Sequence, residues 1–117
     1  MRIVHGWKGL EEADKHASVA LGNFDGVHLG HRAVIDAARA ARPEAPLGAV
    51  TFEPHPREYF ARAAGRSEPP FRLMNPEARA NRLARHGVAQ LYELPFDARL
   101  AALTPQDFAA EVLRDGL

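Results

Sequence analysis

The sequence predicts an α/β domain built on a parallel sheet, and three observations carry that expectation. Apolar, strand-like runs alternate with segments of helical periodicity along the 117 residues. One such run, Ser18 to Leu21, feeds a glycine-rich turn and then an alanine-rich helix. The next run, Leu47 to Phe52, closes a β-α-β unit, whose strands are parallel and whose crossover is right-handed as a rule. The turn reads Gly22-Asn23-Phe24-Asp25-Gly26-Val27-His28-Leu29-Gly30-His31. A strand that ends in this way presents free backbone N–H groups at the start of the helix. The helix dipole favours negative charge there, so the segment reads as a nucleotide site.

The elements follow in order. From Gly30 to Arg42, Val34, Ile35, Ala38 and Ala41 recur at helical spacing, and Arg42-Pro43 stops the helix. Leu47 to Phe52 is a strand bounded by Pro46 and Pro54. Glu53 to Pro70 is rich in proline and in small or polar residues, which predicts a loop with one helical turn around Glu58 to Arg62. Asn75-Pro76 places an N-cap before a proline at the first helical position, and the helix should run to Arg85 with Gly87 as its stop. Val88 to Leu94 reads as a strand. Thr104-Pro105-Gln106-Asp107 resembles a capping box with aspartate at its far end, after which Phe108 and Val112 share a helix face that Asp115-Gly116 ends. A parallel pattern calls for a further strand beyond that helix, yet the sequence stops at Leu117. The expectation is a fragment of a longer domain, or a truncated gene.

Composition narrows the function. The length suits one compact domain. Lys plus Arg and Asp plus Glu number 15 each, so no overall basic field argues for nucleic acid. The absence of cysteine excludes a disulfide scaffold, a zinc ribbon and a thiol nucleophile, and it agrees with a reducing cytoplasm. Met1 to Lys8 lacks the apolar centre of a signal peptide, and no apolar run approaches the roughly 20 residues that span a bilayer. A cytoplasmic domain with neither nucleic-acid nor membrane partners is expected.

Gly22 to His31 resembles the signature of the bacterial bifunctional riboflavin kinase/FAD synthetases, in their N-terminal FMN adenylyltransferase module. That module belongs to the His-X-Gly-His nucleotidyltransferase superfamily. Thr51-Phe52-Glu53-Pro54-His55-Pro56, with Phe60 four residues on, is similar to the family's second motif. Looser matches follow at Leu73 to Val88, at Leu94-Pro95-Phe96-Asp97 and at Phe108 to Leu113, all in the family's order. The resemblance implies a Rossmann-like parallel sheet, incomplete at its C-terminal end. It implies transfer of AMP from ATP to the terminal phosphate of FMN, giving FAD and pyrophosphate, with Mg²⁺ accompanying ATP. His28 and His31 would be catalytic. Gly22, Asn23, Phe24, Asp25, Gly26, His28, Gly30 and His31 would bind ATP. Phe52, Pro54, His55, Pro56 and Phe60 would receive the flavin, and no protein metal site is implied.

The chemistry agrees with these residue types. Adenylyl transfer needs no protein nucleophile; the protein aligns the reactants and stabilises charge on the phosphate oxygens. Imidazoles donate to such oxygens and hold positive charge near neutral pH. Rigid prolines hold an apolar slot open at little entropic cost. Departures are small within the chain: Arg32 stands where the family often has Gln. Beyond it, the family continues with an Asp-Phe-Xaa-Phe-Gly motif, a Ser/Thr-rich motif ending in Arg, and a riboflavin kinase domain. None of these segments lies in the 117 residues.

Other readings stand beside these. His28 and His31 also suit a bare helix start, or a transition metal with Asp25 as a third ligand. Asp25 suits a turn, Phe24 and Phe52 suit the core, and His55 faces either a ligand or water. Arg79, Arg82 and Arg85, three apart, read as one solvated helix face, with a minor role near phosphates as the alternative. His5, His16 and His86 join no constellation. Transfer to a different phosphate ester, and nucleotide or flavin binding without turnover, are the rival functions.

Overall fold

A computed structural model describes residues 1–24, 29–54, 56–65 and 76–117. The expectations placed on Asp25, Gly26, His28, His55, Leu73 and Asn75 lie outside the described residues. Four strands form one sheet: β1 (Arg2–His5), β2 (Ser18–Leu21), β3 (Leu47–Glu53) and β4 (Gln90–Pro95). Their order is β1-β4-β3-β2, and every neighbouring pair is parallel. Among the described residues five α-helices accompany them: α1 (Leu29–Ala41), α2 (Pro56–Ala63), α3 (Pro76–Arg85), α4 (Ala98–Ala101) and α5 (Pro105–Asp107), the last continuing as a π-helical stretch over Phe108–Gly116.

Alternation along the strands assigns the two layers. Ala20, Leu47, Ala49 and Leu91 share one sheet face with Ile35 and Ala38 of α1 and with Ala80 and Leu83 of α3. Val4, Val50, Tyr92 and Leu94 share the other with Leu100 and Val112, and Phe52, Phe96 and Phe108 pack at its margin. Gly48 lies in that second row, where a Cβ would come within 2.9 Å of Val19 Cγ1 and 3.2 Å of Tyr92 Cε2. Only glycine lets β2 and the Tyr92 ring close over β3 there. The Ser18 hydroxyl donates to the Ala38 carbonyl at 2.7 Å and fastens β2 to α1.

Several boundaries differ from the sequence reading, each for a physical reason. Arg2 to His5 is a strand on the sheet edge, although its four residues, two apolar between two polar, carry no alternation. In α1 the buried stripe is Ile35 and Ala38, while Val34 is 44% exposed and Ala41 faces solvent. The expected single turn at Glu58 to Arg62 is a two-turn helix, α2. Pro56 supplies the preset φ of its first position, and an Arg62–Glu58 pair at 2.6 Å joins its last turn to its first. β4 begins at Gln90 rather than Val88, because residues 86–89 close α3. Gly87 takes φ +87°, and the Val88 N–H reaches back to Leu83 O at 3.2 Å. Thr104 caps as expected, its hydroxyl accepting from the Asp107 N–H at 3.1 Å. The helix then widens to five-residue hydrogen bonding, ending with Leu117 N–H on Val112 O at 2.9 Å.

One buried polar group makes stability pH-dependent. The Tyr92 hydroxyl lies 2.6 Å from Asp14 O and 2.5 Å from Gln90 Oε1. Burial, and secondarily the charge of Asp14, push its pKa from 10.0 up to about 12. Between those values the unfolded phenol has lost its proton while the folded one keeps it, so unfolding releases a proton. Stability should therefore fall from pH 10 towards pH 12, on the order of 1 kcal/mol per pH unit. Denaturant titration across that range in wild type and Tyr92→Phe checks this. The same alkaline slope in both proteins would rule it out.

Candidate functional site

Open α/β sheets bind ligands beyond the carboxyl ends of their strands. At that end β2 stops at Leu21, and the chain turns through Gly22, Asn23 and Phe24 towards α1. The Gly22 N–H donates to Val50 O at 3.1 Å, so the turn leaves the sheet from a fixed point. A Cβ on Gly22 would lie 3.4 Å from the Phe24 ring, which folds back beneath it. Phe24 is fully buried, and its φ of +54° is a conformation L-residues seldom adopt. Among the described residues of the turn the positive φ falls on Phe24, while Gly22 and Gly30 do not take one. The first turn of α1 holds Gly30, which is exposed, and His31, which is half-buried with its ring 5.1 Å from that of Phe24. That turn carries no acidic residue to oppose an anion.

Arg79 departs most from the sequence reading. Arg82 and Arg85 are exposed, as a solvated face requires, but Arg79 is 3% exposed. Steps of three residues rotate about 60° around a helix, so the three side chains cannot share one environment. Its guanidinium lies 3.2 Å from Glu53 Oε2 and 3.7 Å from Glu93 Oε1, and it donates to the Asn23 carbonyl at 3.4 Å. The signal for it was present. Ala49 and Leu91 pair across β3 and β4, and the same face then turns polar at Thr51 and Glu93, with Glu53 beyond. A sheet face that ends in carboxylates under a helix calls for a cation on that helix.

The second motif lies beside this cluster. Phe52 is half-buried and meets Phe96 edge-on at 5.7 Å and Phe108 at 6.2 Å. Phe60, 51% exposed, also meets Phe96 at 5.7 Å, and Tyr59 meets it at 5.3 Å. Phe96 is therefore the hub of the aromatic group, a role that its place in Leu94-Pro95-Phe96-Asp97 did not reveal. Leu21, Phe52, Phe96, Leu103, Phe108 and Leu113 line an apolar hollow of about 500 Å³. Pro54 and Pro56 are half-buried between β3 and α2, and neither lines the hollow. Among the described residues no group of three or more His, Asp or Glu side chains could hold a metal ion. Nor is any helix among them long and apolar enough to cross a membrane.

A four-stranded parallel sheet, with a His-X-Gly-His sequence whose last three residues open α1, defines a Rossmann-like domain of the nucleotidyltransferase class. The family model described as FAD synthetase matches residues 10–117, and the chain belongs to that family. It is 35% identical over 116 residues to the bifunctional riboflavin kinase/FMN adenylyltransferase of Escherichia coli, covering 97% of this chain and 36% of that protein. The Bacillus subtilis protein of the same description is 35% identical over 111 residues, covering 92% and 34% respectively. A Listeria monocytogenes FAD synthetase is 31% identical over 115 residues, covering 97% and 45%. A crystal structure of a macrolide-efflux protein from Streptococcus pneumoniae superposes with a TM-score of 0.71 at 29% identity, over 94% of this chain and 36% of that one. The chain thus spans between about a third and a half of the length of these proteins.

Proposed function

We propose that this chain supplies the nucleotide turn and part of the flavin slot of an FMN adenylyltransferase. An oxygen of the FMN phosphate attacks the α-phosphorus of ATP. The bond from that phosphorus to the bridging oxygen breaks, and pyrophosphate leaves with the electron pair, giving FAD. The observation that carries the reading is the FAD synthetase match over residues 10–117, with its His-X-Gly-His turn at the carboxyl end of a parallel strand.

The residues have distinct tasks in this reading. Gly22, Asn23, Phe24, Asp25, Gly26 and Gly30 shape the turn around the ATP phosphates, with Phe24 acting from beneath. His28 and His31 donate to the oxygens on which charge accumulates as the α-phosphorus is attacked. The first-turn N–H groups of α1 add their fixed dipoles. Phe52, Pro54, His55, Pro56 and Phe60, joined by Phe96, offer the flavin an aromatic surface. The described residues do not form a cage for Mg²⁺, and the metal is assigned to the phosphates of ATP, whose oxygens it prefers. The kinase activity in the relatives' name is not part of the proposal.

The test is chromatographic detection of FAD after incubation with FMN, ATP and Mg²⁺. It is made on this chain and on a form extended to the length of its relatives. FAD is expected from the extended form. FAD from neither, with another phosphate ester adenylylated instead, would reject the FMN assignment.

A further inference from the structure

The guanidinium of Arg79 joins three segments that the sequence keeps far apart: the turn after β2, the end of β3 and the end of β4. Its side chain is 4% exposed, so it does not itself meet a ligand. Ion pairing alone explains its presence poorly, since an apolar residue of similar volume in such a place is often as stable or more so. What an apolar residue cannot do is grip a carbonyl. Arg79 Nη1 donates to the Asn23 carbonyl while Nη2 faces Glu53 and Glu93, so the fork spans the turn and the sheet.

The gripped carbonyl is informative. It belongs to the peptide plane that ends at the Phe24 nitrogen, and Phe24 φ is the rotation of that plane about the next bond. Phe24 holds φ at +54°, a conformation that persists only when surrounding contacts impose it. Burial of the ring fixes one end of this residue, and Arg79 fixes the plane at the other. The carboxylates in turn anchor Arg79. Glu93 is nearly buried, and Glu53 is the last residue of β3, directly before Pro54-His55-Pro56.

We propose that Arg79 is a positioning residue for nucleotide binding: it holds the Asn23–Phe24 peptide plane and so sets the direction in which the chain leaves β2 towards the ATP site. The inference rests on the reading of that turn as the ATP site. A lysine cannot replace it fully, because a single ammonium has no planar fork to span carbonyl and carboxylates together.

The probe is Mg·ATP, titrated calorimetrically into this chain and its variants at a temperature where circular dichroism shows each folded. Arg79→Met should weaken ATP binding by about tenfold or more, and Arg79→Lys should recover part of that loss. In the ligand-free chain, amide exchange at Phe24 should quicken in Arg79→Met while Leu83 and Leu91 keep their rates. ATP affinity within about twofold of wild type in Arg79→Met, or uniform quickening across the core, overturns the proposal. Should Arg79→Met fail to fold, Arg79→Lys decides: weaker ATP binding supports it, and wild-type affinity overturns it. Should the wild-type chain bind no ATP, the same series is run in the form extended to the length of its relatives; no affinity there either removes the functional reading and this inference with it, which separates the two failures.

Discussion

Phe24→Ala is expected to destabilise the fold by about 3–5 kcal/mol, the range for deleting a fully buried aromatic ring. The ring belongs to the buried cluster that also holds Ala20, Ile35 and Ala38, under the strand end that launches the nucleotide turn. Alanine also inherits the positive φ without the packing that imposes it, a conformation costing roughly 1–2 kcal/mol for an L-residue. Phe24→Gly leaves the same cavity but is free of that cost. Glycine is ordinarily the less stable of the two in regular structure by roughly 0.5–1 kcal/mol, so a glycine variant equal to or better than alanine would report the backbone effect directly. Urea denaturation of the three proteins measures both quantities. An alanine variant as stable as wild type would mean that the ring does not support the turn.

How much of this was legible beforehand depends on the range of the interaction. Helix and strand identity come from local periodicity, which is why β2 from Ser18 and α1 to Ala41 stand within a residue of where the sequence put them. Thr104 needed only its own N-cap chemistry. Arg79 needed information from β3 and β4, whose registry no local window contains. Phe24 had two readings because a phenylalanine after a strand suits a core or a ligand equally. Burial decides that its ring faces the core, in a cluster whose members lie as far along the chain as Leu83 and Leu91. The π-helical widening at Phe108–Gly116 has no residue signature at all, and alternation of Phe108 with Val112 fits an α-helix as well. The short strand Arg2–His5 is defined by its partner β4, not by its own composition.

His31→Ala carries the largest expected effect on activity. In a form of the protein that makes FAD, it should lower turnover at least about tenfold, equivalent to about 1.4 kcal/mol of transition-state stabilisation. His31 sits in the first turn of α1, and negative charge builds on the phosphate oxygens as the α-phosphorus is attacked. An imidazole that contacts those oxygens mainly in the transition state affects kcat, whereas one that merely binds ATP raises KM. The ring also packs against Phe24, so its loss removes some burial. A thermal melt separates that contribution, since a packing defect lowers the melting temperature without selecting kcat over KM. His31→Gln keeps a hydrogen-bond donor but cannot take up a proton. It should regain only the part of the lost rate that a neutral donor supplies. Unchanged turnover in His31→Ala would leave the turn as a phosphate cradle built of backbone alone, with the histidine serving the helix and not the reaction.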